Sequence, residues 1–217
     1  MVWKYYLLFP ALLSTTTLSQ FFNISERTWN SEYKANKWSY IKTVAIEKAR
    51  NSLILVFTDT YSRKNATILD IGCGEGVLYD QLPDNRKKHY LGIDISEAAI
   101  EIARKTTGVM QFQTHPAESY VPEKVFDVII FNEILYYTDH RAILQRYRNY
   151  LSLTGVIIIS VFFKANVNVI VQTIFKDASR ILRNRIDEVV LHGYTQKSTK
   201  WKAVPVSFQI GVFKPNR

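Results

Sequence analysis

The run Asp70-Ile71-Gly72-Cys73-Gly74-Glu75-Gly76 places three glycines and two carboxylates between an apolar segment and a helical one. Glycine lets a backbone turn sharply and approach a ligand with no Cβ in the way. A helix after such a loop offers unpaired N–H groups and the positive end of its dipole. Asp94 closes the next apolar run, Tyr90–Asp94, where a carboxylate can accept both hydroxyls of a ribose. Two common nucleotide sites are excluded. The third glycine of a dinucleotide fingerprint would fall at Val77, and the Gly-Lys-Ser/Thr of a phosphate-binding loop is absent. An acid two residues before the first glycine repels a pyrophosphate but suits a positive group such as a sulfonium or an ammonium. These residues favour a nucleoside that carries a cation.

Alternating strands and helices must position them. Between Ile24 and about Thr60 the pattern is helical, with Tyr40, Ile41, Val44, Ala45 and Ala49 recurring at three- and four-residue steps. Residues 66–71 read as a first strand, and Val77–Leu82 as a helix stopped by Pro83. Tyr90–Asp94 is a second strand, and Ser96–Thr106 a helix with Ser96 as its N-cap. Met110–Gln113 is a weak third strand. Phe126–Phe131 is a fourth, mostly apolar and so expected to be buried on both faces. His140–Leu151 reads as a helix, Val156–Ser160 as a fifth strand, and Val167–Arg183 as another helix. The β-branched runs Ile186–Leu191 and Trp201–Phe213 have no crossover helix between them and suit an antiparallel pair. The fold class expected is α/β: a doubly wound, mostly parallel, Rossmann-like seven-stranded sheet with an antiparallel C-terminal strand and an N-terminal helical lid.

The chain has 217 residues, a length for one domain, and an apolar share of 47% that excludes wholesale disorder. One cysteine, Cys73, cannot close an intrachain disulfide or by itself build a Cys-rich zinc site; no metal is expected. The net charge of +9 sits in the flanks: residues 1–65 hold nine Lys/Arg against four Asp/Glu, and residues 166–217 nine against three. No dense basic run and no RNA-binding module occurs, so a solvated basic surface is preferred to a nucleic-acid site.

Residues 1–20 form an apolar extension. Tyr5–Leu13 after Lys4 and before a small polar run has the order of a secretory signal, although Pro10 interrupts it. Two readings stand: packing on the domain or a membrane surface, or service as a signal or anchor. A cytoplasmic location is expected, with the secretory pathway or a membrane as the alternative.

Four segments carry a family resemblance. Ile68–Gly76 (ILDIGCGEG) resembles motif I of class I S-adenosylmethionine-dependent methyltransferases, and Leu91–Ser96 their ribose-binding segment. Phe126–Glu133 resembles the fourth-strand motif and Leu151–Ser160 the fifth, in family order and spacing over roughly residues 66–161. The resemblance makes residues 21–217 the methyltransferase domain and S-adenosyl-L-methionine its cofactor. It implies that Gly72 and Gly74 pass under the methionine part, while Asp70 orients that loop or the ammonium. It also implies that Asp94 holds the ribose and Ile95 packs on the adenine. Pro116 stands where the family has an acid, which leaves Ala117 or Glu118 to meet the adenine amine. Asn132 and Glu133 fall beside the reacting methyl.

The stretch Glu133–Tyr137 resembles nodulation-factor-type N-methyltransferases. Glu133 is the first candidate base, His140 or His192 the second, and Tyr136 and Tyr137 wall the acceptor. Trp29 and Tyr33 are read as a lid. The expected partner is a small-molecule acceptor, methylated on N or O. The alternatives are an RNA or protein methyltransferase and a protein that keeps the fold but cyclises or only binds.

Overall fold

The computed structural model describes residues 24–163, 169–197 and 202–215, so the extension over residues 1–20 lies outside it. The helical stretch before the first strand divides. Helix α1 (Glu26–Lys34) is capped by the Ser25 side chain and ends at Asn36, whose φ of 54° is left-handed. A 3-10 turn (Ser39–Lys42) follows, then helix α2 (Ala45–Tyr61). The three- and four-residue periodicity is thus real, but a left-handed asparagine, not a proline, breaks it.

Strand β1 (Ile68–Ile71) leads through the glycine loop into the short helices α3 (Val77–Gln81) and α4 (Asp84–Lys87). Strand β2 (Tyr90–Asp94), helix α5 (Glu97–Thr107) and strand β3 (Phe112–Thr114) complete the first half. Ser96 caps α5 as expected, accepting from the Ala99 N–H at 3.2 Å. Strand β4 (Phe126–Asn132), helix α6 (His140–Tyr147), strand β5 (Leu151–Phe163) and helix α7 (Val169–Leu182) follow. The chain closes with strands β6 (Arg185–Lys197) and β7 (Lys202–Phe213).

The seven strands lie in the order β3-β2-β1-β4-β5-β7-β6. All neighbours from β3 to β5 are parallel, and β7 runs antiparallel to both β5 and β6. The mostly parallel sheet with its antiparallel C-terminal strand is as expected. β5 begins five residues earlier than Val156, because Leu151 already pairs with Phe126 before a register shift near Asp127. The helix before it stops at Tyr147 accordingly.

Strand alternation sends side chains to opposite faces. Leu69, Ile71, Ile129, Phe131, Ile157 and Ile159 pack one face against α6 and α7, around the fully buried Tyr147. Ile68, Val128, Ile130 and Ile158 pack the other against Ile54 and Phe57 of α2 and Ile100 and Ala103 of α5. The chain winds from β1 out to β3 and returns at β4, so a crevice opens between the carboxyl ends of β1 and β4. Open α/β sheets bind ligands at such a reversal. No helix among the described residues is long and apolar enough to cross a membrane.

At the opposite edge of the sheet Asp127 joins three strands. Its carboxylate accepts from the Thr67 N–H at 2.9 Å and the Ser152 hydroxyl at 2.8 Å, and pairs with Arg63 at 3.1 Å. Replacing a buried acceptor leaves its donors unsatisfied, so Asp127→Ala is expected to lower unfolding free energy by roughly 1–3 kcal/mol. Urea denaturation measures this; an unchanged midpoint would mean the three strands hold together without it.

Candidate active site

The glycine loop turns because both of its first amides donate to one carbonyl, Ile93 O, at 2.9 and 3.1 Å. Gly72 has φ +82°, and a Cβ there would stand 2.0 Å from Ile134 Cγ2 and 3.1 Å from the Asn132 carbonyl oxygen. At Gly74 a Cβ would meet the Tyr33 hydroxyl at 2.8 Å. The loop therefore needs glycine partly because this chain's own residues close over it.

Asp94 stands at the end of β2. One carboxylate oxygen accepts from the Gly74 N–H at 3.0 Å and the other from the Ser96 N–H at 2.8 Å. Each oxygen keeps a second lone pair. Burial pushes this carboxyl up to about 6, against the pull of those two N–H groups. Asp70 lies beneath the loop, fully buried, with Oδ2 accepting from the Tyr90 hydroxyl at 2.7 Å and Oδ1 unpartnered. Burial again dominates and carries Asp70 to about 7, with the Tyr90 hydrogen bond and the Arg50 charge opposing.

A cavity of about 330 Å3 occupies the crevice. The structure brings most of the sequence-derived candidates to its wall. Gly72, Gly74, Asp94 and Ile95 form one side, with Ala117 and Glu118 beyond them. Asn132, Glu133, Tyr136 and Tyr137 form the β4 side, and Trp29 and Tyr33 the side given by α1. Trp29 meets Tyr137 edge-on at 5.1 Å, so the segment before β1 closes against the loop after β4. Asn30 fixes that segment to α5: its carbonyl oxygen accepts from the Ser96 hydroxyl at 2.8 Å and the Ala98 N–H at 3.0 Å.

Three candidates lie elsewhere. Asp70 does not reach the cavity surface, since the loop covers it. His140, expected as a second base, opens α6 and bonds Asp177 of α7 at 3.0 Å, away from the cavity. Arg141 holds the same carboxylate at 2.7 Å. His192 sits on β6 and bonds the Ser207 hydroxyl at 2.7 Å. Neither histidine is brought to Glu133.

Glu133 itself has a left-handed φ of 63°, costly for a residue with a side chain. Its carboxylate offsets that cost. It accepts from Ser160 Oγ at 2.5 Å, the Phe162 N–H at 2.7 Å and the Tyr136 hydroxyl at 3.1 Å. Its second neighbour is Arg50, whose Nη1 stands 4.0 Å away.

Arg50 has no place among the motifs, yet it organises this side of the cavity. Only 3% exposed on α2, it bonds Glu47 at 3.1 Å and donates to the Asn132 side-chain oxygen. Burial works against its charge, but the carboxylates of Glu133 and Glu47 outweigh this and raise its pKa. A readable sign existed: Ile46, Arg50 and Ile54 follow at four-residue steps, so a cation occupies the apolar stripe of the helix. Asn51, Glu75, Trp38 and His115 also line the cavity and were not singled out by spacing.

A family model described as a methyltransferase domain matches residues 62–205. Among solved structures, the N-methyltransferase NodS from Bradyrhizobium japonicum in complex with S-adenosyl-L-homocysteine is 15% identical. The match covers 88% of this chain and 98% of that one with a TM-score of 0.71. The plantazolicin methyltransferase BpumL is 16% identical, covering 93% and 98% with a TM-score of 0.59. A TehB-like methyltransferase from Corynebacterium glutamicum is 17% identical, covering 86% and 98% with a TM-score of 0.55. At these identities the likeness is one of fold. A search of curated proteins finds no match.

Removing one member of a buried ionic cluster strands the others. Arg50→Met keeps the aliphatic length while leaving Glu47, Glu133 and Asn132 without their cation, and is expected to cost about 3–5 kcal/mol in urea denaturation. A loss below about 1 kcal/mol, the usual worth of an exposed pair, would show the cluster to be solvated.

Proposed function

The chain belongs to the methyltransferase-domain family, and from that premise we propose that its cavity binds S-adenosyl-L-methionine and that a small molecule receives the methyl group on nitrogen or oxygen. The observation that carries the reading is Asp94: a half-buried carboxylate at a strand end, beside a glycine loop, with one lone pair on each oxygen uncommitted. A pair of ribose hydroxyls matches that geometry. The buried atoms left without partners also fit the cofactor. They include Oε1 of Glu75, which lines the cavity and whose other oxygen pairs with Lys42 at 2.6 Å. The NodS and BpumL structures hold S-adenosyl-L-homocysteine, the demethylated cofactor, which agrees with this assignment.

When bound, S-adenosyl-L-methionine supplies a methyl group already activated on sulfur. What remains for the protein is alignment, and orientation of two reactants can be worth ~7–11 kcal/mol. Asp94 would hold the ribose. Ile95 and Ala117 would flank the adenine, with Glu118 at its edge. The Ala117 carbonyl is itself fixed by the Tyr147 hydroxyl at 2.9 Å. Trp29, Tyr33 and Tyr137 would exclude water from the reacting centre and offer ring faces to a cation.

Glu133 faces the same space with three donors already on its carboxylate. Its proposed part is to fix Tyr136 and present negative charge to an incoming acceptor nitrogen. Glu133→Gln can keep these hydrogen bonds but loses the charge. Turnover with amine acceptors is expected to fall roughly tenfold or more while cofactor affinity holds. Equal turnover would remove Glu133 from the mechanism.

Asp94 gives the sharper test, in calorimetric titration with S-adenosyl-L-homocysteine. Asp94→Ala deletes two charge-assisted hydrogen bonds of ~1.5–3 kcal/mol each, so affinity should drop by an order of magnitude or more. The pH dependence has a definite sign. Only the ionised carboxylate accepts both hydroxyls, so wild-type affinity should be flat above the carboxyl's value of about 6 and fall below it. The limiting slope is about tenfold per pH unit, and the step should vanish in Asp94→Asn. A wild-type profile without that step, or an undiminished affinity in Asp94→Ala, would refute the assignment.

A further inference from the structure

Charge is polarised along the sheet. At the carboxyl ends of the strands Glu75, Asp94, Glu118 and Glu133 line the cavity, and Arg50 is the one Lys or Arg among the lining residues. The amino ends carry the opposite sign. Lys88 leads into β2, Lys64 into β1 and Lys124 into β4, and all three are exposed with no ion pair among the described residues. Arg63, beside Lys64, is also exposed and pairs with Asp127. Over residues 62–67, 83–89 and 121–125 the acids are Asp84, which pairs with Lys87 at 3.4 Å, and Glu123. Arg183 and Lys214 continue the exposed cations at the same end of β6 and β7.

The most exposed large apolar side chains stand there too. Among the described residues Leu153 at 77% and Met110 at 73% rank first, and Val125 is 52% exposed. Met110 precedes β3, Val125 precedes β4, and Leu153 lies where β5 shifts register against β4. The strand order turns these positions into a row: Met110, then Lys88, Lys64, Lys124 with Val125, and Leu153. Adjacent strands lie about 4.8 Å apart, so the row spans roughly 19 Å. Aliphatic tips stand at both of its ends, with cations between them.

An occupant of such a face must reward both kinds of group. A second copy of the chain would bring like charge against like. A nucleic acid would meet the lysines, but single-stranded nucleic acids are held by stacking on rings, and the exposed apolar groups here are aliphatic. An anionic bilayer rewards both, since its headgroups attract lysines and its interface takes up apolar tips. We propose that the amino end of the sheet docks on an anionic lipid surface. Lys64, Lys88 and Lys124 meet the headgroups, and Met110, Val125 and Leu153 enter between them. The cavity then opens toward water, its carboxylates turned away from the negative surface. The chain's own charge distribution sets this orientation.

The test is co-sedimentation of the full chain with phosphatidylcholine vesicles containing about 30% phosphatidylserine, against vesicles of phosphatidylcholine alone. Wild-type protein should partition onto the anionic vesicles only, and less as salt rises. A Lys or Arg near such a surface adds about fivefold to binding, so Lys64→Gln, Lys88→Gln and Lys124→Gln together should lower the partition coefficient roughly a hundredfold. Val125→Ser with Leu153→Ser should lower it roughly tenfold, and decides the matter if the lysine variant is poorly folded. Both variants lie far from the cavity and should keep affinity for S-adenosyl-L-homocysteine within about twofold. No partition onto anionic vesicles, or equal partition onto both kinds, would overturn the proposal. Undiminished binding in the lysine variant would overturn it by showing that another surface docks. Binding of poly(U) RNA, together with a serine variant that holds vesicles as well as wild type, would overturn it in favour of a nucleic acid.

Discussion

The guanidinium of Arg50, withdrawn from water on α2, is held by Glu47 on its own helix and by Asn132 and Glu133 at the end of β4. An unpaired charge cannot remain in such a place, so the helix preceding the sheet and the strand at its centre are bound to one relative position. The β4 side of the cavity is placed with respect to that junction. It fixes Asn132, and it balances the carboxylate of Glu133, which in turn carries Tyr136 and ties itself to β5 through Ser160 and Phe162. The left-handed backbone at Glu133 persists because its side chain is anchored at both oxygens.

The opposite wall obeys a different rule. Asp70 and Asp94 lie close enough that the charge of Asp94 raises Asp70, and burial has moved both carboxyls toward neutrality. With Glu75 in the loop between them, this wall of the crevice keeps an imbalance of carboxyl groups over cations even though Lys42 pairs with Glu75 at 2.6 Å. A positively charged guest relieves it, and the deeper the carboxylates lie, the greater the preference for a cationic guest over a neutral one. The arrangement selects by charge before any shape is considered.

Much of this was legible in the residue order, because local rules govern it. The glycine loop, the strand ends at Asp94 and Asn132, and the Ser96 cap each depend on residues a few positions apart. The family resemblance pointed to Trp29, Tyr33, Tyr136 and Tyr137, all of which line the cavity. What escaped depends on tertiary pairing. His140 was offered as a second base, but its partner is Asp177, 37 residues on, across a helix–helix contact. Asn30 shares its oxygen with Ser96 and Ala98, 66 and 68 residues away. Arg50 was visible only as a charge out of place on an apolar stripe. The start of β5 was misjudged by five residues because a pairing with Phe126 extends the strand past Gly155.

The position of β7 bears on how the molecule comes into being. The final strand is not at the rim; it is wedged between β5 and β6, the sole bridge joining β6 to the remaining sheet. β6 packs on α2 but precedes its strand partner in the chain, so before β7 is in place it has no strand to pair with and β5 keeps a naked edge. Until β7 pairs, this half of the sheet is the part most open to wrong pairings.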